Sequence, residues 1–82
     1  MFEKERKKID QIDKQLVKLI AKRIKIVKRI QRSKQLNHIS LRNPQREKEI
    51  ISIALKDAKK LGIPAKNLKK IFQELFKISK SR

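Results

Sequence analysis

The chain has 82 residues, with 25 Lys plus Arg against 8 Asp plus Glu and a formal charge of +17 at pH 7. It has one His, one Gly, two Pro and no Cys, Trp or Tyr. This composition excludes a disulfide framework, a thiolate nucleophile, a Cys-type zinc site and a glycine-rich phosphate loop, and a lone His argues against a His-based metal site or a Ser-His-Asp triad. The length suits one domain over 1–82. No apolar run approaches the roughly 20 residues of a membrane span. The charged stretch from Glu3 to Lys8 is unlike a secretory signal, so a cytoplasmic protein with no membrane partner is expected.

The first predicted element runs from about Glu3 to Leu36, without Gly or Pro. Ile9, Ile12, Leu16, Leu19, Ile20, Ile24, Val27 and Ile30 recur mostly at intervals of 3 or 4, the helical period. That spacing outweighs a β-branched content that would otherwise favour a strand. The stretch from Gln35 to Asn43 loses the period and is expected to be a loop, with His38 on its surface. Asn43-Pro44 is a helix start, Asn as N-cap and Pro at the first helical position. The second helix carries Ile50, Ile51, Ala54, Leu55, Ala58 and Leu61, and Gly62 is placed to end it in a left-handed conformation. A third helix from about Pro64 presents Leu68, Ile71, Phe72, Leu75, Phe76 and Ile78.

The fold class is therefore all-α, with one long and two shorter helices. At 1.5 Å per residue the first helix is roughly 50 Å long. A globule of this length is only roughly 30 Å across. Two shorter helices cannot cover the whole apolar stripe, so a homodimer in which the long helices pack together is expected.

Most bases lie off the apolar stripes and belong to solvated faces. Arg23 is different, because it sits within the stripe between Ile20 and Ile24. Lys34 follows eleven residues later and returns to within about 20° of the same face. Arg6 precedes Arg23 by seventeen residues, on a face about 100° away, and cannot easily reach the same pocket within one chain. Arg46 and Glu47 stand at the start of the second helix. Cations aimed into a helical interior are costly unless an anion meets them, and with 8 acids in the chain that anion could be a ligand.

These positions carry a resemblance to the all-α chorismate mutases, the AroQ class. The matching pattern is Arg6, Ile9-Asp10-Gln11-Ile12-Asp13 and Leu16, then Leu19-Ile20-Ala21-Lys22-Arg23, Lys34, Asn43-Pro44-Gln45-Arg46-Glu47, Ile71-Phe72-Gln73 and Ser79. It spans essentially the whole chain without a gap. No single motif is specific; the ordered set at those intervals is fairly so.

The resemblance implies an intertwined helical homodimer of three-helix chains and the Claisen rearrangement of chorismate to prephenate, in aromatic amino-acid biosynthesis. That step needs no cofactor, metal, nucleophile or proton transfer. It implies Arg23 on one substrate carboxylate and Arg6 on the other, reaching over from the partner chain. Lys34 would donate to the ether oxygen and a carboxylate. Glu47 would accept from the ring hydroxyl, Arg46 would form the supporting wall, and Ser79 would help hold a carboxylate. Asn43 stands where many family members have Asp, and caps the helix without bringing charge. The family's usual Gln, one turn after the Ser, would fall one residue past Arg82. A weakened rate is therefore expected, with Lys34 as the main ether-oxygen donor or with Lys80 or Arg82 as a substitute.

Two alternatives accompany this reading. An isochorismate-pyruvate lyase uses a similar cationic pocket on the same fold, and Glu47 beside Arg46 favours the mutase. A basic helical nucleic-acid-binding module would fit the charge. However, there is no helix-turn-helix with a short Gly-containing turn, the bases spread over all three helices, and only three Phe could stack on bases. No specific nucleic-acid partner is expected, though nonspecific, salt-sensitive binding is.

Overall fold

The structure, a computed structural model, describes residues 1–36 and 43–80, with the side chains of 34–36 and 80 outside the described part. Three helices make up the fold: α1 (Glu3–Leu36), α2 (Pro44–Leu61) and α3 (Ala65–Lys80). The expected all-α class and element order hold. α1 spans the expected Glu3–Leu36, so the first two residues of the loop expected from Gln35 are helical. Gln35 and Leu36 are both good helix formers with no breaker before them. His38 lies outside the described residues.

The start of α1 and both ends of α2 have local causes. Glu3 and Glu5 in the first turn of α1 face the positive end of its dipole. Asn43 keeps a non-helical backbone, and its Oδ1 accepts the Arg46 backbone N–H at 3.1 Å. The Asn43 carbonyl meanwhile accepts from Glu47 at 3.1 Å. Asn43→Ala is expected to cost about 1 kcal/mol, a fall in Tm of roughly 4–8 °C in a chain this short, measured by thermal melting. At the other end of α2, Gly62 adopts φ 72° and ψ 24°. This lets the Ile63 N–H reach back to the Ala58 carbonyl at 2.9 Å, the Schellman-type ending that turns the chain into α3.

The packing is lopsided. α3 packs on both α1 and α2, and among the described residues α1 and α2 make no close backbone approach to each other. α3 is therefore the bridge, and a gap is left between the other two. The molecule measures 56 × 24 × 15 Å with a radius of gyration of 15.8 Å, well above the roughly 12 Å of a compact domain of this length. Among the described residues only Ala58, Phe76 and Ser79 are buried. Toward the N-terminus of α1 the apolar stripe has no cover: Ile9, Ile12, Leu16 and Leu19 are each more than half exposed. No helix among the described residues is long and apolar enough to cross a membrane.

Candidate active site

The gap bridged by α3 is a cavity of about 320 Å³, within the range of small-molecule sites. α1 lines it with Arg23, Ile26, Val27, Ile30 and Gln31. α2 contributes its cap and first turns, Asn43, Arg46, Glu47 and Ile50, and α3 closes it with Phe76 and Ser79. The helical period explains the α1 wall. Arg23, Val27 and Ile30 follow at intervals of 4 and 3 on the apolar stripe of α1. At α2, the N-terminal cap places the Arg46 and Glu47 side chains at the cavity mouth and adds the positive end of a helix dipole.

Arg23 is the electrostatic centre of the cavity. Its Nη1 is buried and has no hydrogen-bond partner among the described residues. Its guanidinium carbon lies 5.5 Å from the centroid of the Phe76 ring, in the range where an aromatic face attracts a cation. Phe76 is in turn held by Phe72, with ring centroids 6.3 Å apart and planes tilted by 55°. A charged donor left unpaired in a partly dry cavity is costly, and an anion placed there would remove that cost.

The other polar groups differ in how committed they are. Arg46 points partly outward, and its Nη1 donates to Glu49 Oε2 at 3.3 Å, an exposed ion pair of small worth. Ser79 is buried, and its hydroxyl donates to the Leu75 carbonyl at 2.8 Å. In that rotamer Ser79 presents lone pairs to the cavity, and it must turn to donate to a ligand. Among the described residues no group of three or more His, Asp or Glu gathers as a metal site.

Of the residues singled out from the sequence, Arg23, Asn43, Arg46, Glu47 and Ser79 come together around this one cavity. Arg6 does not line it and stands exposed near the start of α1. Lys34 belongs to α1 by its backbone, and its side chain lies outside the described part, as do Lys80's side chain and Arg82. Phe76 and Gln31 were not singled out as site residues. The signal for Phe76 was its place three residues before Ser79 on one face of α3. The signal for Gln31 was a lone amide at the edge of the apolar stripe, one turn after Val27.

A family model described as chorismate mutase type II matches residues 5–82. The chain belongs to the type II chorismate mutase family. That family is one of isomerases, and the three-helix, strand-free fold accords with its all-α class. The match runs through the elements that line the cavity, from Arg23 in α1 to Ser79 in α3. Searches of curated proteins and of solved structures find no match to the chain.

Proposed function

We propose that the chain catalyses the rearrangement of chorismate to prephenate in a pocket shared between two copies of itself. The observation that carries this reading is the buried Arg23 Nη1, unpartnered among the described residues and set in a cavity of small-molecule size within a mutase-family fold. Chorismate is a dianion with two carboxylates and an enolpyruvyl ether. Its rearrangement is pericyclic, so the protein has no bond to make with it. The rate must come from holding the compact reactive conformer and from stabilising the negative charge that grows on the ether oxygen.

In this reading Arg23 grips one carboxylate, using the flat fork that suits bidentate pairing. Lys34 donates to the ether oxygen and a carboxylate, and Glu47 accepts from the ring hydroxyl. Arg46 and Asn43 form the wall at the start of α2, and Ser79 turns from Leu75 to help hold a carboxylate. Gln31, an amide on the α1 wall, is a second available donor. The second carboxylate is met by Arg6 of a second copy. A second copy would also cover Ile9, Ile12, Leu16 and Leu19, which one chain leaves in water. Burying such side chains contributes about 1.5–3 kcal/mol each.

The test is the loss of chorismate absorbance and the formation of prephenate, with isochorismate offered in parallel and pyruvate measured. Turnover of chorismate is expected. No rate above background at high protein concentration, or pyruvate release from isochorismate alone, overturns the reading. Phe76→Leu is expected to raise KM about 3- to 10-fold with a smaller change in kcat, and Phe76→Tyr, which keeps the ring at nearly the same size, to leave it near the wild-type value, because the aromatic face steadies the Arg23 guanidinium.

A further inference from the structure

The proposed activity uses a few bases on the inner faces and leaves the outer face of α1 unexplained. Lys14, Lys18, Lys22, Lys25, Arg29 and Arg32 follow one another along that helix at intervals of 4, 4, 3, 4 and 3. Lys4 and Lys7 extend the row toward the N-terminus, with Gln11 as the one uncharged position between Lys7 and Lys14. At about 100° per residue all of them fall within an arc of about 80°. The four acids of α1 (Glu3, Glu5, Asp10 and Asp13) all fall outside that arc. Every base in the row is exposed, and none takes part in an ion pair among the described residues.

Such a row is not what solubility alone asks for. Like charges at i,i+3 and i,i+4 weaken a helix, whereas interleaved Glu would strengthen it and keep it soluble. From Lys18 to Arg32 no acid of α1 lies three or four residues from a row base, and the cost is repeated with no ion pair among the described residues to relieve it. The row extends roughly 42 Å on a straight helix, with a charge about every 6 Å on average. A duplex presents one phosphate per strand about every 3.4 Å of its axis, a linear charge of the same order. It carries no aromatic or amide fork to read bases, apart from Gln11.

We propose that this outer face of α1 docks along the phosphate backbone of a nucleic-acid duplex, without reading its sequence. A straight, stiff row of cations complements a straight, stiff polyanion. A single strand is flexible and is usually held by stacking on aromatic side chains, which the row lacks. An anionic membrane fits less well. The row stands about 180° from the apolar stripe, so a helix that buried its apolar side chains in lipid would aim these bases away from the headgroups. This inference is independent of the mutase reading, because none of these bases lines the cavity.

The experiment is fluorescence anisotropy of the full chain with two labelled DNA duplexes of about 20 base pairs and unrelated sequence, from 50 to 200 mM salt. Equal affinity for both sequences is expected, with log K falling against log salt at a slope of about −4 to −7. The variant K14Q/K18Q/K22Q/K25Q should flatten that slope by up to about 3.6, since each lost phosphate contact removes about 0.9. A variant of the same net charge, K56Q/K59Q/K66Q/K70Q, removes exposed bases from α2 and α3 and should flatten it by less than 1. Melting curves check that both are folded, and the double variants K14Q/K18Q and K22Q/K25Q serve should the quadruple unfold. Equal losses in the two quadruple variants would mean diffuse attraction to the whole chain and overturn the proposal. So would the absence of duplex binding at 50 mM salt, or row-dependent sedimentation with phosphatidylserine vesicles in place of duplex binding.

Discussion

Replacing Arg23 by Met should lower kcat/KM for chorismate by about 10²- to 10³-fold while leaving Tm unchanged or raised. The two halves of this result have one cause. Arg23 places a charged donor in a partly dry cavity where nothing among the described residues meets Nη1. In the ligand complex that donor would face a carboxylate, and truncating one member of such a buried pair typically costs 2–5 kcal/mol, hence the expected fall in rate. Without ligand the same donor is a burden on the fold. Met keeps the length and apolar volume of the stem, can pack its sulfur against Phe76, and removes the unmet charge. Steady-state kinetics and thermal melting on the same sample check both halves. Activity and stability falling together would show Arg23 to be a structural group, and unchanged activity would remove it from the site.

The second large effect is expected from mixing two inactive proteins. Arg6→Ala and Arg23→Met should each be nearly inactive alone. After unfolding and refolding together at equal concentrations they should recover about a quarter of wild-type activity. In a symmetric dimer half of the random pairs are mixed. Each mixed pair has one pocket with both arginines and one with neither. Recovery above either parent shows that Arg6 acts across the dimer. A fully active Arg6→Ala protein would exclude it from the chemistry, and no recovery on mixing would place both arginines in one chain. The distance along α1 makes the first outcome the expected one. The seventeen residues from Arg6 to Arg23 span about 25 Å of helix, and Arg6 does not line the cavity of its own chain.

What the sequence could show and what it could not divide along physical lines. Helix positions were legible because they depend on local rules: the 3–4 spacing in α1, the Asn43-Pro44 start and the left-handed Gly62. Arg23 was legible because a cation within an apolar stripe contradicts its surroundings. The gathering of Asn43, Arg46, Glu47 and Ser79 with Arg23 came through the family resemblance, since no local rule says that the start of α2 meets the last turns of α3 across α1. Phe76 was missed because an aromatic at helical spacing reads as core; its closeness to Arg23 is a tertiary fact. The Ser79 hydroxyl bond to Leu75 is local, but a serine's rotamer leaves no mark on the sequence.

The bridging position of α3 has a consequence for how such a pocket could change over generations. The cations and the acid that line the cavity sit on α1 and α2, yet those two helices do not meet among the described residues. α3 is packed against both, and its Phe76 side chain stands in the cleft beside Arg23. A larger or smaller residue on α3 would widen or narrow the cleft while every charged group stayed in its own helix. Selection for a bulkier or slimmer ring dianion could therefore act on the spacer and spare the charges, so that substrate fit and charge recognition drift on separate helices.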